Sequence, residues 1–238
     1  MSFCYDTGDA QGMNMIAGAT DHACRWILAR CAARDFALFS GHGSEKRASG
    51  ALLAGGKGKL VTAGARLPRE LAVRYLHAEP VQLVDLWKRT VLGHIQAGAL
   101  GYNGHYANGL AAIFIACGQD VANVANCAVG ITDFSLTTDG DLYASVTLPS
   151  LSVATVGGGT ALPTSRECLQ LLDCVGDGKA GRLAEIVAAA LLAGEISMGA
   201  AIASGEFVAA HEALGRNRPP PDSGRGDPGA APGPPGTA

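Results

Sequence analysis

The sequence predicts an α+β fold, on three observations. The stretch DLYASVTLPSLSVATVGGGT (Asp141 to Thr160) is β-branched and alternating, and it closes on a triple glycine, as a strand does that ends in a loop of close backbone approach. GKLVTAGARL (Gly58 to Leu67) has the same strand character. RLAEIVAAALLAGEISMGAAIASGEFVAAHEAL (Arg182 to Leu214) is alanine-rich and apolar on most faces, which predicts one or two helices buried on nearly all sides.

The remaining elements follow in chain order. RDFALFSGHGSEKR (Arg34 to Arg47) reads as a short strand running into a polar loop punctuated by glycine. PRELAVRYLHA opens with proline and an early acid, the pattern of a short helix start. NGHYANGLAAIFIACGQDVANV (Asn103 to Val124) carries apolar residues at helical spacing and delivers Gln119 and Asp120 near its far end. From Arg216 the chain turns to RNRPPPDSGRGDPGAAPGPPGTA, whose proline and glycine content predicts disorder over 216–238.

With 238 residues and 48% apolar content, the chain suits one large domain or two small ones. A net charge of −3, from 18 basic and 21 acidic side chains spread along the chain, supplies no basic stripe for nucleic acid and no membrane-binding face. Seven cysteines form no CxxC pair and no zinc-type spacing with histidine, so neither a metal nor a disulfide framework is expected, and a reducing, cytoplasmic setting fits. No signal peptide pattern opens the sequence. The apolar run from Ile186 to Ala203 is broken by Glu195 and glycines, which favours a core helix over a membrane span.

Four places collect side chains suited to chemistry: GDAQGMNM near the start, SGHGSEKR, GQD with the preceding GYNGHYANG, and His211. Each also has a plainer reading. Lys46 between Glu45 and Arg47 suits a solvated loop, Asp120 a helix cap, His211 a surface histidine, and Gly157 to Gly159 a tight turn.

Taken together, the words TGDAQGMNM, GYNGHYANGLAAIFIACGQD, DLYASVTLPSLSVATVGGGT and AGEISMGAA stand in one order and near one spacing. In this the chain resembles the catalytic domain of the 3-hydroxy-3-methylglutaryl-coenzyme A (HMG-CoA) reductase family, from about residue 6 to about residue 215, and the wording is similar to the class that uses NADPH. The resemblance implies reduction of HMG-CoA to mevalonate and free coenzyme A by two hydride transfers from two NADPH. Each hydride makes an alkoxide, which calls for a fixed cation at the oxygen, and expelling coenzyme A calls for a proton donor to the thiolate.

The resemblance places Lys46 as that cation, Asp120 as the acid that holds it, and His211 as the thiolate's proton donor. It places Ser40, Arg47, His105, Asn108 and Ser197 at the acyl substrate, and Asp9, Gly12, Met13 and Asn14 at NADPH. It further implies a homo-oligomer with the active site between subunits. The implied architecture is a large-domain core with long buried helices over 51–215, a lysine loop over 40–50, and a remnant of the ferredoxin-like NADPH-binding small domain over 1–39.

The chain departs from the family at two points. No ENVIG-like word, which carries the family's catalytic glutamate, is among the 238 residues; Glu70, Glu79, Glu185 and Glu195 stand in other words. The lysine loop reads SGHGSEKRASG where the family has roughly SGNxCxDKKPA, with Glu45 for aspartate and Arg47 for the second lysine. The expectation is therefore a truncated reductase whose isolated chain turns over negligibly. The alternative is a degenerate paralogue that serves as a binding or assembly subunit.

Overall fold

A computed structural model describes residues 1–38, 41 and 44–214. Its helices, in chain order, are α1 (Met13–Leu28), α2 (Gly50–Leu53), α3 (Arg69–Leu76), α4 (Pro80–Gln96), α5 (Tyr106–Ala116), α6 (Val124–Cys127), α7 (Pro163–Leu171), α8 (Ala180–Ala203) and α9 (Phe207–Leu214). The strands are β1 (Lys59–Leu67), β2 (Ile131–Leu136) and β3 (Leu142–Leu151), and short 3-10 turns cover Val121–Asn123 and Gly158–Ala161. The fold is α+β. The three strands form one antiparallel sheet in the order β1-β3-β2.

The alternation read from the sequence decides which face of β3 is covered. Leu142, Ala144, Val146 and Leu148 are buried, whereas Tyr143 between them is exposed. Pro149, which has no N–H to give a ladder, sits where the pairing with β1 shifts register between Lys59 and Val61, beyond the end of β2. α8 packs across β1 and β3, α4 packs on β2, and α5 lies against α8. Tyr106, Leu110 and Phe114 recur every four residues on α5 and are fully buried, as are Leu183, Val187 and Leu191 on α8.

Two readings change and a third is narrowed to one of its alternatives. Residues 34–38 form no strand: none of the three strands pairs with them, so that stretch is irregular and Leu38 is exposed. α8 is not buried on nearly all sides; Ala189, Ala190, Ala193 and Ser197 are exposed, because the sheet and α5 cover one stripe of the helix only. The long apolar segment is two helices, α8 and α9, separated at Gly205, whose φ is 78°. α8 is long and apolar enough by length and composition to cross a membrane, yet its buried stripe belongs to the core shared with the sheet.

Six helices and strands went unread, two of them, α2 and α6, single turns of four residues. α4 announces itself by Pro80 at its first turn and by a capping box between Glu79 and Gln82, a signal that was present. β2, α7 and α1 are short or mixed in pattern, and α1 buries none of its residues. The tail expected to be disordered lies outside the described residues.

Candidate functional site

Lys46 and Asp120 meet. The Lys46 Nζ lies 3.3 Å from Asp120 Oδ2, both side chains remaining well exposed. Each is held by its own segment. Lys46 has a φ of 56°, in the left-handed region that a side-chain-bearing residue rarely adopts, and its backbone N–H donates to the Asn126 Oδ1 at 3.3 Å. Asp120 caps the 3-10 turn after it, accepting from the Ala122 N–H at 3.1 Å.

The turn that carries Asp120 is fastened to the end of β3. Gln119 accepts from the Ala154 N–H at 2.7 Å and donates its Nε2 to the Ala154 and Cys117 carbonyls. The triple glycine supplies the second fastening. Gly118 and Gly159 cross backbone to backbone, and a Cβ on Gly159 would fall 2.6 Å from the Gly118 carbonyl oxygen. The close approach read into this loop is thus made to the protein's own backbone.

A second lysine stands behind the first. Lys57, in the glycine-flanked turn before β1, forms an ion pair with Glu45, and the two side chains are only 18% and 17% exposed. Burial pushes the Lys57 ammonium below its ordinary value, opposed by the neighbouring Cys127 and Asp120. Burial also pushes the Cys127 thiol up to about 11, so it is protonated at neutral pH. Lys57 was missed in the sequence, although its setting, GGKGK, has two close glycines of the kind that surround ligand-facing backbone.

Lys57 also borders a cavity of about 390 Å³. The N-terminal segment forms one wall with Thr7, Gly8, Gln11 and Met13, and Lys57 and Lys59 form another. Two polar atoms beside it, Gln11 Nε2 and Ser152 Oγ, are buried without a hydrogen-bond partner. A cavity of this size with donors and cations around it fits part of a nicotinamide nucleotide. Of the four residues assigned to the cofactor, Met13 lines this cavity, while Asn14 is exposed on the first turn of α1 and Gly12 opens that helix with a φ of 70°.

Asp9 is held by backbone amides. Its carboxylate accepts from the Gly178 N–H at 2.7 Å and the Ala180 N–H at 3.0 Å, at the N-terminus of α8, and its carbonyl accepts from Thr155 and Val156. These backbone donors hold the carboxyl below its ordinary value of 3.8. Because the folded form binds its proton more weakly than the unfolded form, this anchor is fully present above pH 3.8 and is lost as pH falls through the lowered value. In Asp9→Ala the Gly178 and Ala180 amides are expected to lose protection against exchange, measured relative to the intrinsic rate, already at neutral pH. Unchanged amide protection in the variant would remove this anchor.

The other assigned residues are spread. His105 precedes α5 and Asn108 stands exposed in its first turn, while Ser197 is exposed on α8. The Arg47 guanidinium reaches the Glu45 carbonyl at 3.1 Å. His211, on α9, bonds the Phe207 carbonyl at 2.7 Å and stacks on the Phe207 ring; among the described residues it makes no hydrogen bond or ion pair with Lys46 or Asp120. Ser40 lies outside the described residues. No group of three or more His, Cys, Asp or Glu side chains poised for a metal occurs among the described residues.

Comparison with known proteins bears on this arrangement. The sequence profile of hydroxymethylglutaryl-coenzyme A reductase matches residues 1–216. The chain belongs to the HMG-CoA reductase family. It is 40% identical over 215 residues to the 3-hydroxy-3-methylglutaryl-coenzyme A reductase of Methanothermobacter thermautotrophicus, covering 90% of this chain and 54% of that protein. The reductase of Haloferax volcanii is 43% identical over 222 residues, 91% of this chain and 55% of its own. That of Aeropyrum pernix is 44% identical over 225 residues, 89% and 52%. The chain thus spans about half the length of these HMG-CoA reductases, and the paired Lys46 and Asp120 lie inside the matched half.

Proposed function

We propose that this chain supplies the lysine and aspartate side of an HMG-CoA reductase active site, reducing HMG-CoA to mevalonate and coenzyme A at the expense of two NADPH. The observation that carries the reading is the Lys46 Nζ held 3.3 Å from Asp120 Oδ2, with Lys57, which feels the Asp120 charge, lining a cavity of its own. NADPH would supply the hydride, and Met13, Gln11, Lys57 and Lys59 would hold it.

The chain's own residues do the rest. Lys46, its backbone held in a left-handed turn, presents a cation to the oxygen on which negative charge develops, and Asp120 orients it. The buried pair of Glu45 with Lys57 fixes the segment immediately before Lys46, so the cation needs no reorganisation as charge appears. His105, Asn108, Ser197 and Arg47 take the acyl group, and His211, on a terminal helix packed on α8, reaches the departing thiolate as its proton donor. Residues 1–39 serve the nucleotide, and the working species is a cytoplasmic homo-oligomer with sites between subunits.

The test compares two proteins: the 238-residue chain, and the same chain placed behind the N-terminal segment of the Methanothermobacter thermautotrophicus reductase, where the family carries its glutamate. NADPH oxidation is followed by absorbance with HMG-CoA present. Turnover by the fusion, with negligible turnover by the chain alone, is the expected result. A folded fusion that binds HMG-CoA without oxidising NADPH, alongside an active parent reductase, would replace this reading with that of a binding or assembly subunit.

A further inference from the structure

Glu195 is the one charged residue among the buried described residues, only 4% exposed within the apolar stripe of α8. Its carboxylate is fully used. Oε1 accepts from the His105 N–H at 2.5 Å and the Gly104 N–H at 2.9 Å, and Oε2 accepts from the Gly104 N–H at 3.2 Å. These are the free donors just ahead of α5, where the helix dipole favours a negative charge. A buried carboxylate is costly unless its lone pairs are met, and here Oε1 meets the backbone of both His105 and Gly104, and Oε2 that of Gly104.

The residue before it treats the side chain of His105 in the same way. A Cβ on Gly194 would overlap the ring carbons Cδ2 and Cγ and the Nε2 of His105. From the other side, a Cβ on Gly109 of α5 would lie 3.2 Å from Nε2. The imidazole therefore occupies a slot against α8 that exists because Gly194 carries no Cβ; Gly109 borders it, though the overlap that excludes a side chain at Gly109 is with Leu191 Cδ2 at 2.5 Å. Neither glycine has a positive φ, so backbone conformation does not call for them.

We infer that Gly194 and Glu195 are positioning residues for His105: Gly194 makes room for the ring and Glu195 fixes the backbone that carries it. Two adjacent positions on α8 thus determine where the imidazole stands. The consequence for catalysis rests on the proposed role of His105 at the acyl substrate. A ring displaced by the width of one methyl group no longer presents its nitrogens at the same point, and misplacement on that scale is costly to a site that works by orientation.

The slot is tested without any substrate. Urea unfolding is measured for the chain, Gly194→Ala, His105→Ala and the double variant. Gly194→Ala is expected to lower the midpoint when the ring is present, and to leave it unchanged or raise it once His105→Ala has emptied the slot. An equal loss in both backgrounds overturns the proposal. If Gly194→Ala alone does not fold, the double variant decides: recovery of folding supports the slot, and failure sinks it. Histidine-selective NMR supplies the positional readout, the His105 signal being the one of six that His105→Ala removes. That signal is expected to shift in Glu195→Gln while those of His77 and His94 stay in place. An unmoved His105 signal in a folded Glu195→Gln chain overturns the role of the carboxylate. Adding HMG-CoA separates this inference from the functional reading beneath it. A His105 signal that shifts on titration in the unsubstituted chain, and shifts less in Glu195→Gln, supports both. A signal indifferent to HMG-CoA in a slot that passes the unfolding test removes His105 from the substrate and leaves its positioning intact.

Discussion

Lys46→Ala is expected to lower kcat for HMG-CoA reduction by roughly 10²–10³ in the active fusion, the cost of removing one preorganised donor from a developing oxyanion. KM for HMG-CoA should change little, because the interaction strengthens only as charge forms. Folding should be almost untouched. The pair with Asp120 is solvent-exposed, and exposed ion pairs contribute about 0–1 kcal/mol. Alanine is not relieved of the left-handed φ of 56°, so backbone strain is common to both chains. Lys46→Arg should not restore the rate, since a guanidinium is larger, with its charge spread over a plane. The measurement pairs steady-state kinetics with a urea midpoint; full activity in a folded Lys46→Ala enzyme would show that another group meets the oxygen, with Lys57 the first to examine.

Gly118→Ala is expected to be the most damaging small substitution in the site. The new methyl would collide with the carbonyl of Gly159, which is backbone and has no rotamer into which to retreat, and the φ of 64° at residue 118 disfavours any side chain. Overpacking and backbone strain together put the loss on the order of 3 kcal/mol. The effect should reach catalysis. Moving the turn off the triple glycine shifts Gln119 from Ala154 and carries Asp120 away from Lys46. Denaturant unfolding and the kinetics of the fusion check the two halves separately, and a variant within about 0.5 kcal/mol of the parent, the range of an ordinary surface change, would mean that the two loops separate freely.

Much of this was legible along the chain, for identifiable reasons. β1 and β3 show a period of two because one face of the sheet is covered, and α5 and α8 show buried residues three and four apart because each lays one stripe on a neighbour. The lysine and aspartate were legible as residue types placed among glycines. Residues 34–38 misled because strand character is a statement about local shape, while a strand exists only where another offers its ladder. Asp9 was assigned to the nucleotide from its word alone, and only the folded chain shows its carboxylate on the N-terminus of α8.

By itself, then, the sequence determined the fold class, the family, the periodicity of the main elements and the presence of a cation and an acid suited to one another. Tertiary structure decided which groups meet: Lys46 with Asp120, Lys57 with Glu45 behind it, Gly118 against Gly159, and the ring of His105 against Gly194. The physical reason is the range of the forces that leave a trace in sequence. Periodicity records which side of an element faces away from water, a property each element has alone, whereas a contact between distant segments depends on the packing of everything that separates them.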